Sequence, residues 1–177
     1  MAARLKAVVG VLALAAVLSG CGIAASTSRL VTPAAPSQVA GSALSPALAL
    51  ARGEIVRALG TVNLILDEPN VPFRAPESPS LVAVPRAVVQ VVLPDDPRHG
   101  YVTMYELGTE EAARTAAAEQ LAYVTSGVGR VQFPPDTQFV VRRLATTVIF
   151  HAYSPENATD ERAVDVVTAL NRVGVAP

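Results

Sequence analysis

The chain has 177 residues, of which 16% are charged, with a formal charge of −1 and no block of basic residues, so a nucleic-acid partner is disfavoured. It contains one cysteine, which excludes a disulfide framework within the chain and a zinc site built on several thiolates. The length suits one domain with a sizeable core and is short for two.

The N-terminus reads as an export signal. Arg4 and Lys6 precede an apolar run from Ala7 to Leu18, and small residues then lead to Cys21, the order of a secretory signal peptide. That run of 12 residues is shorter than the roughly 20 that a spanning helix needs. The four residues Leu18-Ser19-Gly20-Cys21 resemble the lipobox of bacterial lipoproteins, in which Leu and two small residues precede an obligatory Cys. The resemblance covers the signal region alone. It implies that residues 1–20 are removed as signal peptide and that Cys21 becomes the N-terminus, with diacylglycerol on its sulfur and often a further acyl chain, such as palmitate, on its amine. Two or more chains anchor stably where one does not. The implied place is the cell envelope, lipid-anchored on the extracytoplasmic face of the cell membrane or outer membrane, with the membrane itself as a partner.

Residues 21–44 read as the lipidated Cys and a flexible tether. Gly22 to Ala43 is rich in Ala, Ser, Thr and Pro and carries Arg29 as its only charge, so it buries too little to order itself. Such a chain reaches about 25 Å.

Residues 45–177 are expected to form a single α+β domain. Ser45 and Pro46 are an N-cap and a first helical residue. Leu48, Ala51, Ile55, Leu59, Val62 and Leu66 form an apolar stripe interrupted by Gly60 and ended by Asp67-Glu68-Pro69. Five prolines between Pro69 and Pro85 mark an irregular connection. Ala87 to Leu93 and Tyr101 to Leu107 read as a hairpin around the turn chemistry of Pro94 to Gly100. Thr109 caps a second helix with Glu110 and Glu111 in its first turn and with Ala113, Ala117, Leu121 and Val124 as its buried line. Glu110 and Arg114 are spaced as a surface pair, and Gly127 or Gly129 stops the helix.

Arg130 to Phe133 is assigned as a short strand. Thr137 to Arg143 and Thr147 to Tyr153 read either as a hairpin closing around Leu144 to Thr146 or as one bent strand, because that turn lacks Gly or Asn. A final helix starts at Thr159 or Asp160 and buries Ala163, Val167, Leu170 and Val173. The order α-β-β-α-β-β-α predicts an antiparallel sheet of about four strands with three helices.

Chemistry is sparse. Asp95, Asp96 and His99 could hold a cation, but Asp, Pro and Gly are what a tight turn requires. No dinucleotide fingerprint, nucleophile elbow or metal-binding helix is present, so no catalytic residue, metal or cofactor is assigned. Arg142 and Arg143 read as exposed strand-end charges, and Asn157-Ala158-Thr159 as a loop leading to a cap.

The one candidate surface is aromatic. Tyr101, Thr103 and Tyr105 alternate onto one side of their strand, as do Ile149, His151 and Tyr153 on theirs. If these sides coincide and helices cover only the other face, Tyr101, Tyr105, His151 and Tyr153 form a binding face; if the first helix packs there, they are core-edge residues. Three function classes follow. The first is a non-catalytic interaction or structural module that binds another envelope protein. The second is a lipoprotein presenting a small ligand, which a cleft between sheet and first helix would favour. The third is an envelope hydrolase, which requires His99 or His151 to meet a Ser and a carboxylate. The first class is preferred on sequence.

Overall fold

The computed structural model describes residues 43–177, so the signal peptide, Cys21 and most of the tether lie outside the described residues. The domain is α+β. Its elements are α1 (Pro46–Gly60), β1 (Leu66–Asp67), β2 (Arg86–Val91), β3 (Tyr101–Glu106), α2 (Glu110–Thr125), α3 (Gly127–Arg130), β4 (Gln138–Leu144), β5 (Thr147–Tyr153) and α4 (Ala163–Leu170). The strands form one antiparallel sheet in the order β1-β2-β3-β5-β4.

Local sequence sets several of these boundaries. The Ser45 hydroxyl accepts from the amide of Leu48 at the start of α1, and the Thr109 hydroxyl accepts from Ala112 at the start of α2. The first helix ends earlier than its apolar stripe suggests. Asn63 takes a left-handed φ of 56°, while Asn63 N–H donates to Gly60 and Leu64 N–H to Leu59. That pair of bonds is a Schellman stop with Asn in the position usually given to Gly. Val62 and Leu66 therefore leave the helix, and Leu66 opens the short edge strand β1.

One further expectation is corrected, and one open choice is decided. Arg130 to Phe133 is not a strand: α3 is a single helical turn, and a turn follows it. The chain must pass close to α2 here, since a Cβ on Gly129 would lie 2.2 Å from the Tyr123 carbonyl oxygen. The segment of Thr137 to Tyr153 is a hairpin, not one bent strand. Leu144 pairs with Thr147 across Ala145 and Thr146, and Ala145 adopts a φ of 48° in place of the missing Gly or Asn.

Both faces of the sheet are covered. Val89, Val91, Val102, Met104, Val140 and Ile149 pack with α1 and α4, whereas Tyr105, Val141, Val148 and Phe150 pack with α2. The proline-rich connection completes the second face with Ala75 and Leu81. It is fastened there by Gln120, which is fully buried on α2, accepts from Ser78 N–H at 2.7 Å and donates to the Pro76 carbonyl at 2.9 Å. Gln120 falls between Ala117 and Val124 on the apolar line of α2, where a polar residue signals an internal anchor.

Surface pairs also differ from expectation. Arg114 binds Glu111 at 2.6 Å rather than Glu110. Arg142 is not a free strand-end charge: its guanidinium donates to the carbonyls of Val173 at 2.9 Å and Gly174 at 3.0 Å, while Arg143 and Val175 exchange backbone bonds at 2.8 Å. The C-terminal segment is thereby tied to β4.

Candidate functional site

Strand register decides where the aromatic residues lie. Thr103 pairs with Phe150 and Tyr105 with Val148, and directly opposed residues share a face. Tyr105 therefore lies on the α2 side, whereas Ile149 lies with Met104 on the α1 and α4 side. The two triplets do not form one face, and neither face is open. Tyr105 is fully buried and donates to Glu77 at 3.2 Å; Glu77 also pairs with Arg86 at 3.2 Å and Arg74 at 2.7 Å. Burial and the neighbouring Glu77 carboxylate push the Tyr105 phenol far above its ordinary range. It is an anchor for the proline-rich connection and drops out of the candidate site.

Tyr101, His151 and Tyr153 do meet, at the end of the sheet. β3 stays paired with β2 as far as Tyr101, and β5 stays paired with β4 as far as Tyr153. Between β3 and β5 the ladder stops at Thr103 and Phe150. Beyond that point the His151 ring replaces the backbone ladder, with Nδ1 2.8 Å from the Tyr101 carbonyl oxygen. A carbonyl only accepts, so Nδ1 carries the proton and the other ring nitrogen, Nε2, presents a lone pair.

The parting of the strands opens a cavity of about 270 Å³. Leu93, Ala163 and Val166 line it from one side of the sheet and Phe73, Phe133 and Phe150 from the other, with Tyr101, Ala152 and Tyr153 between. Phe73 stacks on Tyr101 at 4.1 Å with ring planes 5° apart. Phe139 continues the cluster, lying edge-on to Phe133 at 4.8 Å and 6.5 Å from Phe150. All four phenylalanines of the chain thus gather at or beside this cavity. No residue of α1 lines it, so this cavity is a gap between strands and not the cleft between sheet and first helix that would favour a ligand-presenting role.

Two loops hold the mouth. Arg130 donates to the carbonyls of Phe133, Pro134 and Pro135 at 3.1, 2.8 and 2.6 Å, and its guanidinium lies 5.7 Å from the Phe139 ring centre. On the other side, Gln90 donates to the carbonyls of Pro97 and His99 at 3.0 and 2.9 Å. Gly100, at a φ of 83°, brings this turn back against β2, where an added Cβ would lie 2.7 Å from the Val91 oxygen. Asp96 accepts from His99 Nδ1 at 2.5 Å and from Thr159 N–H at 3.1 Å. Asp160, held down to a pKa of about 2 by hydrogen bonds from the Arg162 side chain, faces the amide of Asp95 at 3.4 Å. The two aspartates of the turn thereby connect it to the entry of α4. Among the described residues there is no group of three or more His, Cys, Asp or Glu arranged to hold a metal ion.

Inside the apolar walls a few polar atoms have no partner. His151 is 3% exposed, and its Nε2 makes no hydrogen bond; the Thr137 hydroxyl, also at the cavity, makes none. Burial lowers the His151 pKa, which favours the neutral ring. The hydrolase arrangement is not assembled by these bonds. His99 has a carboxylate but no seryl oxygen, His151 has a backbone carbonyl, and Ser154 donates instead to Asp136 at 2.9 Å.

Sequence reasoning overlooked Phe73, Phe133, Phe150 and Thr137. Large aromatics in a proline-rich connection and beside Pro134-Pro135, in a chain only 5% aromatic, were the available signal. No family model matches the sequence, and no curated protein or solved structure does either. No described helix is long and apolar enough to cross a membrane.

Proposed function

We propose that this protein is a non-catalytic binding module for a small, mainly apolar molecule, held at the extracytoplasmic face of a bacterial envelope membrane by lipid on Cys21. This reading replaces the protein-interaction role preferred on sequence with its alternative, a lipoprotein that presents a small ligand. One observation carries the reading: His151, a residue in the wall of an apolar cavity of about 270 Å³, has a buried imidazole nitrogen without a partner. An unsatisfied buried polar atom costs about 1–3 kcal/mol, and native folds rarely retain one without use. Cavities of this kind, apolar with a few polar groups, are the usual form of small-molecule sites. The volume corresponds to about nine waters, so the ligand has on the order of ten non-hydrogen atoms. The anchor rests on the Leu18-Ser19-Gly20-Cys21 resemblance.

Native mass spectrometry of the protein isolated from its own membranes tests both parts. The expected species begins at a diacylglycerol-modified Cys21 and carries a dissociable small-molecule adduct, which is lost in Ala152→Phe, where a ring fills the cavity. An unmodified Cys21 would remove the anchor. An adduct-free protein that also fails to take up small apolar probes would remove the binding role.

A further inference from the structure

The polar atoms that line the cavity restrict the ligand further, an inference that rests on the binding role just proposed. His151, in the cavity wall, is fixed as a hydrogen-bond acceptor, because its Nδ1–H is committed to Tyr101 O at 2.8 Å and its Nε2 has no protein donor. We propose that the site selects a neutral alcohol or phenol: an apolar body whose hydroxyl donates to His151 Nε2.

The same atoms disfavour the competitors. An ether of identical shape leaves Nε2 buried and unpaired. A carboxylate brings negative charge against a lone pair inside apolar walls, where desolvation is unfavourable. The acidic and basic side chains at this cavity besides His151 are Asp96, Arg98 and His99, and Asp96 is already engaged by His99 and by the Thr159 amide. Arg98 is the cation at this cavity and is not bonded to the His151 nitrogen, so the benzoate tests whether an anion is held there in place of a hydroxyl.

Calorimetric titration with 4-propylphenol, 4-propylanisole and 4-propylbenzoate, each of a size the cavity admits, separates the two levels of the argument. The phenol is expected to bind about ten- to a hundredfold more tightly than the ether, the range for satisfying a buried acceptor, and more tightly than the benzoate. In His151→Leu the phenol's advantage over the ether should disappear while the ether still binds. Equal binding of phenol and ether by the unaltered protein overturns the hydroxyl preference and leaves the binding role intact. Binding of the benzoate as tightly as the phenol also overturns it. Failure of all three probes overturns the binding role and the preference together.

Nitrogen-15 spectra of the unaltered protein give a readout that does not require the variant to fold. Nε2 should resonate as an unprotonated nitrogen and move upfield when 4-propylphenol is added. A protonated Nε2 in the free protein, or an unmoved resonance with the phenol bound, would refute the assignment.

Discussion

Replacing His151 by Leu should leave the protein about as stable as before at neutral pH, an unusual outcome for a residue only 3% exposed. Two effects oppose each other. Loss of the Nδ1–H donor strands the Tyr101 carbonyl, which costs about 1–3 kcal/mol. Removal of Nε2 eliminates an atom that is buried without a partner, which returns a similar amount. The net change should lie within about 1 kcal/mol, against about 2–5 kcal/mol for truncating a large core side chain. Because the chain has no tryptophan, the assay is urea unfolding followed by far-ultraviolet circular dichroism. The two proteins should then diverge with pH. Burial holds the folded His151 below its ordinary pKa, so the unfolded chain binds the extra proton first, near pH 6.5. Stability of the unaltered protein therefore falls as pH drops below about 6.5, and this contribution is missing from His151→Leu. A loss above about 3 kcal/mol at pH 7, without that pH divergence, would show that His151 is a satisfied structural residue and would remove the basis for the site.

Other substitutions probe the frame around the cavity. Glu77→Ala, which strips the buried Arg86 and the Tyr105 hydroxyl of their carboxylate, should destabilise by about 3–5 kcal/mol in the same unfolding assay. Glu111→Ala, at an exposed pair with Arg114, should leave the melting temperature unchanged. Asp160→Asn should lower the midpoint at pH 7. Since the Asp160 carboxyl is held at about 2, its contribution is present above the ordinary carboxylate range and lost as pH falls through about 2, so the difference between variant and parent should shrink over that interval. Ala145→Gly should stabilise by about 0.5–1 kcal/mol, the left-handed penalty of Ala less the flexibility of Gly, measured as a raised unfolding midpoint.

Features written in a few adjacent residues were legible in the sequence. Ser45-Pro46 and Thr109 marked helix starts, Pro94 to Gly100 marked the first hairpin turn, and alternation marked β3 and β5. What the sequence concealed depends on distant partners. The apolar spacing of α1 continues through Val62 and Leu66, and only the left-handed Asn63 shows that the helix has already stopped. A strand of two residues, β1, has no periodicity to read.

Alternation shows that Tyr101 and Tyr105 share a side, and likewise His151 and Tyr153. It carries no information on register between strands, and the pairing of Thr103 with Phe150 puts the two sets on opposite faces. Tyr101, His151 and Tyr153 meet only because β3 and β5 part beyond that pair, where a side chain takes over the backbone's bond. Such a gap is a tertiary event, set by how β2 and β4 hold their neighbours, and no local pattern encodes it.

Chemical-shift mapping of the unaltered protein titrated with 4-propylphenol tests the central reading most directly. Saturable changes confined to Phe73, Tyr101, Phe150, His151 and Ala152 are what a ligand seated between the parted strands would cause. Changes that do not saturate, or that gather instead at exposed apolar residues such as Ile65, Val128 and Val131, would contradict it.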